Sequence, residues 1–171
     1  GKTVIEGEAR VIAPREKVRR PRVALPEVHL HRQGAQYARL IAATEALEPV
    51  RTAVVHPCDP LSLIGALDAA ERGMIVPVLV GPRAKIEAAA QDAGRSLDNV
   101  RIVDTPHSHA AAASAVALVR GGEADALMKG SLHTDELVGP VVDPALGLRI
   151  ERRMSHVYVL DVPTYAKPLM I

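Results

Sequence analysis

From about residue 33 onward, the chain alternates between short apolar runs and longer amphipathic stretches. The apolar runs are too short for helices and predict strands. These strands are predicted at residues 51–56, 74–80, 100–103, 125–128 and 157–160. The stretches between them have helical spacing, and they predict helices at residues 33–48, 61–72, 83–93, 108–120 and 133–138.

Capping residues mark the ends of several predicted helices. Asp59 is a favourable N-cap, and Pro60 suits the first position of a helix. Gly73, Gly94 and the pair at 121–122 follow predicted helices, where a glycine commonly ends the helix. We therefore interpret these glycines as caps and not as ligand contacts.

Strands that alternate with helices through short turns indicate a parallel sheet covered on both faces. The predicted strands are apolar throughout, as burial on both faces requires. The sequence thus predicts an α/β protein with a three-layer α/β/α arrangement and a mostly parallel sheet, spanning residues 33–171. Residues 1–13 are interpreted as the possible tail of an upstream domain, and residues 14–32 as a basic, proline-rich linker.

Composition narrows the class of partner. Aromatic residues make up 2% of the 171 residues, with no Phe or Trp, so stacking platforms for single-stranded nucleic acid are lacking. A net charge of +1 gives no general attraction to nucleic acid or membrane. The basic run at residues 15–22 is interpreted as a solvated linker, with a site for an anionic partner or coenzyme A phosphates as the alternative.

The single cysteine, Cys58, allows no disulfide within the chain and favours a reducing compartment. The sequence shows no secretory signal pattern and no apolar run long enough to span a bilayer. A cytoplasmic location is predicted.

The candidate site lies where the predicted strand 125–128 meets the helix that follows it. Ligands bind α/β proteins at such junctions, and both a lysine and the N–H groups of a helix start attract anions. The sequence therefore predicts a phosphate or coenzyme A site at Lys129, Gly130, Ser131 and Thr134. The alternative is an ordinary turn with a cap. The loop at residues 56–60 also follows a predicted strand, so it is expected at the same edge of the sheet. A capping turn before the next helix explains its residue types.

A second group consists of Arg149, Ser155 and His156, which precede the predicted buried strand 157–160. These side chains, with Arg152 and Arg153, suit a phosphate or carboxylate, and a charged surface is the alternative.

Other chemistries are disfavoured. No metal site is predicted. His107 and His109 are spaced i, i+2, and on a helix such residues point to different sides. Neither a Walker sequence nor a dinucleotide-binding glycine pattern is present.

Three segments together resemble the phosphate acetyl/butyryltransferase family over residues 33–171. They are Leu-Met-Lys-Gly-Ser-Leu-His-Thr at 127–134, Leu-Arg at 148–149 and Arg-Met-Ser-His-Val-Tyr-Val-Leu at 153–160. The resemblance implies acyl transfer between coenzyme A and phosphate, with these substrates and no further cofactor. It also implies a homodimer and a fold like that of isocitrate and isopropylmalate dehydrogenases, with two α/β domains and a cleft. The resemblance further implies that five residues line this cleft: Lys129, Ser131, Thr134, Arg149 and Ser155.

The chain also departs from the family, whose members are roughly twice as long. The Ser-Arg pair and the Asp base of the family have no counterpart here. We therefore expect a fragment that lacks the catalytic half and carries no catalytic residue of its own. A non-catalytic interaction or dimerisation domain is the alternative function. A decarboxylating dehydrogenase of similar fold is a third possibility. It would need clustered metal-binding aspartates, and the sequence shows no such cluster.

A second, shorter resemblance concerns the first residues. Residues 1–14 are similar to the last strand of MaoC-like enoyl-CoA hydratase domains. This resemblance suggests a bifunctional hydratase–acyltransferase fusion.

Overall fold

The computed structural model describes residues 7–8, 34–162 and 165–171. The predicted tail at 1–13, apart from Gly7 and Glu8, and the linker at 14–32 lie outside the described residues. Both assignments stay predictions, as does the hydratase fusion.

Five helices and six strands follow one another in the described part of the chain. The helices are α1 (Ala35–Thr44), α2 (Pro60–Glu71), α3 (Arg83–Ala93), α4 (Ser108–Arg120) and α5 (Thr134–Val142). The strands are β1 (Val50–Val55), β2 (Ile75–Gly81), β3 (Arg101–Asp104), β4 (Ala126–Lys129), β5 (Val159–Leu160) and β6 (Leu169–Met170). The predicted helices and the first four strands are confirmed, with ends that shift by one residue in the strands and by up to four residues in α1 and α5.

The first four strands form one parallel sheet in the order β3-β2-β1-β4. Alternate residues of β1 and β2 point to opposite faces of this sheet. Val54 and Leu79 pack with α2 and α3 in one core cluster. The side chains on the other face pack with α4 in a second cluster, which α5 extends through Leu137. The three-layer arrangement is confirmed, and the likeness to the dehydrogenase fold stays a prediction.

Small side chains let α4 lie close to the sheet. Ala111, Ala112 and Ala115 are completely buried against the face formed by β1 and β2. Alanine costs no side-chain entropy on burial and also favours the helix. A core without Phe or Trp is therefore filled by bringing backbones together.

Two of the predicted caps illustrate how the helices begin and end. The Asp59 carboxylate accepts hydrogen bonds from the backbone N–H groups of Leu61 (3.0 Å) and Ser62 (3.1 Å) at the start of α2. At the end of α3, Gly94 adopts φ 62°, a left-handed conformation that glycine adopts without strain.

The prediction of a buried strand at 157–160 is wrong. Only Val159 and Leu160 form a strand, and it pairs antiparallel with β6, outside the main sheet. Tyr158 is 59% exposed and Val159 is 53% exposed. A short apolar run fits several pairings, and here the run pairs with the nearby segment through a hairpin instead of crossing back to the parallel sheet.

Candidate functional site

The candidate site lies at the carboxyl ends of β1 and β4, where the strand order reverses. From β1 the chain adds β2 and β3 on one side, and then returns to place β4 on the other side of β1. The loop after β1 leads to α2 on one face of the sheet, whereas α4 and α5 pack on the other face. Such a switch point is the position where open α/β sheets bind ligands.

Backbone hydrogen bonds hold the two loops together at this point. The N–H of Gly130 donates to the carbonyl of Val55, and the N–H of Ser131 donates to the carbonyl of His56, both at 2.9 Å. A Cβ atom at Gly130 would lie 2.5 Å from the Val55 oxygen and 2.7 Å from the His56 oxygen. A glycine is therefore required here by the close approach of two backbones, and the side-by-side placement of the loops is confirmed.

The hydroxyl group of Ser131 is used within the protein. It donates to the His56 carbonyl at 2.9 Å and accepts a hydrogen bond from the backbone N–H of Cys58 at 3.1 Å. Sequence reasoning assigned this hydroxyl to a ligand. The structure gives it a role in joining the two loops, so a direct ligand contact by Ser131 stays a prediction.

Lys129 has an exposed side chain at the end of β4. Its Nζ donates to the carbonyl of Gly130 at 3.3 Å. Among residues 34–162 and 165–171, no carboxylate lies within 4.0 Å of this ammonium group. Thr134, also exposed, is the first residue of α5. The cation thus lies at the end of β4, five residues before α5 begins, and has no carboxylate partner in the described structure.

Two titratable groups in the loop after β1 have shifted pKa values. Hydrogen bonds from Ser62, at the start of α2, hold the pKa of the Asp59 carboxyl below its usual range. Burial raises the pKa of the Cys58 thiol to about 11. At neutral pH the carboxylate is thus charged and committed to capping, while the thiol is protonated and is a poor nucleophile.

The second predicted group lies elsewhere. Arg149 lines an open cavity of about 680 Å³ together with Arg152, Arg153 and the end of α5. Ser155 and His156 are exposed, and the His156 ring lies 4.3 Å from that of Tyr158, centroid to centroid. In the described structure, no hydrogen bond or ion pair joins Arg149, Ser155 or His156 to the Lys129 loop. The predicted position beside a buried strand is wrong, because β5 is exposed.

Sequence reasoning missed Glu136, which joins the starts of α4 and α5. Its carboxylate accepts from the N–H of His133 (3.0 Å) and from the hydroxyl of Ser108 (3.1 Å), and it lies 3.3 Å from Nδ1 of His109. The hydrogen bond from His133 holds the pKa of Glu136 below its usual range. The three-residue spacing between His133 and Glu136 is that of a capping box, a signal that could have located this contact.

Sequence comparisons identify relatives of this chain among known proteins. The chain is 55% identical over 139 residues to a phosphate acetyltransferase of Rhizobium meliloti, covering 81% of this chain and 44% of that protein. It is 42% identical over 151 residues to one from Rickettsia typhi, covering 88% and 43%. A phosphate butyryltransferase of Clostridium acetobutylicum is 30% identical over 135 residues, covering 79% and 45%. The chain is related to the phosphate acetyl- and butyryltransferases.

This relationship confirms the family resemblance predicted from residues 33–171. The chain spans less than half the length of these phosphate acyltransferases. No protein-family model matches the chain. The aligned acetyl- and butyryltransferases do not test the hydratase resemblance of the first residues.

Two other kinds of feature are absent from the part of the chain that the structure describes. None of its helices is both long and apolar enough to cross a bilayer. No group of three or more His, Cys, Asp or Glu side chains there could hold a metal ion.

Proposed function

We propose that this chain is part of a phosphate acyltransferase, which converts a short-chain acyl-CoA and phosphate into an acyl phosphate and free coenzyme A. The names of its relatives support this reaction class and include both acetyl and butyryl transfer. Both the phosphate and the diphosphate of coenzyme A carry negative charge, so a binding site for either needs cationic groups and hydrogen-bond donors.

The observation that carries the proposal is the position of Lys129. Lys129 ends β4 at the switch point of the sheet, before the loop that leads to α5, and its ammonium group has no carboxylate partner in the described structure. A phosphate oxygen can replace the 3.3 Å contact with the Gly130 carbonyl and form a stronger, charge-assisted hydrogen bond. In this proposal the chain binds the anionic part of the substrates.

Binding is therefore the step to measure on this chain. Phosphate and coenzyme A are titrated separately into the native protein, Lys129→Ala and the control Lys167→Ala by isothermal calorimetry. Lys167 is exposed, and its loss changes the net charge equally. Loss of one charge-assisted hydrogen bond is expected to weaken binding by about tenfold in Lys129→Ala.

Two results would contradict the proposal. One is the absence of phosphate and coenzyme A binding by the native chain. The other is an equal loss of affinity in Lys129→Ala and Lys167→Ala, which would assign binding to general charge and not to this site.

Two further properties stay predictions. A homodimer is expected, and light scattering of the purified chain would measure its mass in solution. Thr134, Arg149, Ser155 and His156 remain candidate ligand contacts, for which the same calorimetric titration of single alanine variants is the test.

A further inference from the structure

His56 stands out at the end of the central strand β1. It has φ 54°, and His56 and Asn99 are the two non-glycine residues with positive φ in the described structure. Its backbone is held on both sides, because its N–H donates to the Val80 carbonyl at 2.7 Å and its carbonyl accepts from Ser131. A left-handed backbone is unfavourable for a non-glycine residue, and where it occurs it is often found at functional sites.

Hydrogen bonds around the His56 ring determine which tautomer the neutral ring adopts. Its Nδ1 lies 3.1 Å from the carbonyl oxygen of Ser131, which can only accept. The Ser131 hydroxyl, 3.4 Å from Nδ1, already gives its proton to the His56 carbonyl at 2.9 Å. Nδ1 therefore carries the proton, and Nε2 has no protein partner among the residues that the structure describes.

The register of the sheet relates His56 to Lys129 through the backbone. Val55 is the Cα partner of Lys129 across β1 and β4, so His56 and Lys129 lie at the ends of adjacent strands. His56 is half-buried and Lys129 is exposed. The two side chains are the nitrogen-bearing groups that β1 and β4 deliver to the switch point.

We propose that His56 is a second anion-contacting residue of the Lys129 site. The Ser131 carbonyl holds Nδ1, and this leaves Nε2 for an oxygen of the bound phosphate group. When the ring is protonated, Nε2–H donates to that oxygen, and Lys129 supplies the second positive charge. This inference rests on the proposed function, because it adds a residue to the same phosphate-binding site.

The decisive variant is His56→Asn. The Asn amide occupies the place of Nδ1 and can donate to the Ser131 carbonyl, and Asn also tolerates a positive φ. It has no atom in the place of Nε2. A purely structural role for His56 would survive this change, whereas a ligand contact through Nε2 would be lost.

The matched control is His107→Asn at the same edge of the sheet. His107 is the N-cap of α4, where its Nδ1 accepts from the N–H of Ala110 at 3.2 Å, and Asn is an equally good N-cap. Phosphate is titrated into the native chain and both variants, with circular dichroism as the check on folding. We expect His56→Asn to bind phosphate about ten- to hundredfold more weakly and His107→Asn to bind it normally.

A measurement on the native chain keeps the inference testable even if His56→Asn does not fold. Long-range ¹H–¹⁵N NMR spectra report which ring nitrogen of a histidine carries the proton. We expect the neutral His56 ring to be protonated at Nδ1, and its Nε2 resonance to shift when phosphate is added. A ring protonated at Nε2, or an Nε2 resonance that phosphate does not move, would overturn the inference.

The outcomes separate the two proposals. If phosphate binding depends on Lys129 but is unchanged in a folded His56→Asn, the role of His56 is refuted and the proposed function stands. If the native chain binds no phosphate, the role of His56 is refuted, and if it binds no coenzyme A either, the proposed function is refuted as well.

Discussion

The glycine at position 130 provides the sharpest test of how the site is built. In Gly130→Ala, the new Cβ would lie 2.5 Å from the Val55 oxygen, 2.7 Å from the His56 oxygen and 2.8 Å from the His56 carbonyl carbon. All three atoms belong to the backbone, so no side-chain rotation relieves the clash. The two loops must separate by about 0.5–1 Å to restore normal contact distances.

That separation breaks the hydrogen bonds between the loops. Three of them, from Gly130 N to Val55 O and from Ser131 N and Oγ to His56 O, measure 2.9 Å. At about 1 kcal/mol each, their loss predicts a destabilisation of about 2–3 kcal/mol. For a chain of this size the melting temperature should fall by about 5–10 °C.

Urea denaturation followed by circular dichroism measures the change directly. Gly65→Ala is the matched control, because its Cβ would meet only the Met128 Cε, at 3.9 Å, and Gly65 lies within α2. Alanine at that position should stabilise the protein by about 0.5–1 kcal/mol. If Gly130→Ala is as stable as the native chain, the described approach of the two backbones is wrong.

Four further predictions concern charged and titratable groups. Replacing Asp59 by Ala removes two cap hydrogen bonds and should cost about 1 kcal/mol in the free energy of unfolding. Because hydrogen bonds from Ser62 lower the pKa of Asp59, the stabilisation is present above the unfolded pKa. This stabilisation should be lost as the pH falls through the folded pKa of Asp59. The difference in unfolding free energy between the native chain and Asp59→Asn, measured as a function of pH, should therefore become smaller in acid. Burial raises the pKa of Cys58 to about 11, so alkylation by iodoacetamide at pH 8 should be about a hundredfold slower than for a free thiol; a rate equal to that of the unfolded chain would contradict this environment. The Arg51 guanidinium binds Asp125 through two hydrogen bonds of 2.8 and 2.7 Å, but both side chains are about half exposed, so a double-mutant cycle should give only a weak coupling that high salt reduces further.

Local patterns in the sequence predicted most of the fold. Buried strands between two layers of helices leave uninterrupted apolar runs, and the runs at β1 and β2 were placed within one residue. Caps such as Asp59 and Gly94 depend on contacts within a few residues, so their residue types are informative by themselves. The run at 157–160 was placed wrongly because its pairing partner is not encoded in the run itself.

For the candidate site, the sequence predicted the location but not the roles of the residues. A lysine, a glycine and a hydroxyl directly after an apolar strand were enough to locate the edge of the sheet that carries the site. The roles of these residues were not predictable, because they depend on which strand lies next to β4. The order β3-β2-β1-β4 places β1 there, and this puts the Val55 and His56 carbonyls against Gly130 and Ser131.

The sequence alone thus determined the element types, the parallel α/β class, the family resemblance and the position of Lys129 at a strand end. These properties follow from local periodicity, capping chemistry and short motifs. The tertiary structure decided that Ser131 joins two loops, that Gly130 is required by backbone contact, and that the Nε2 atom of His56 is left without a protein partner. Each of these depends on atoms about 75 residues apart in the chain, and only the packing of β1 against β4 brings such atoms within hydrogen-bond distance.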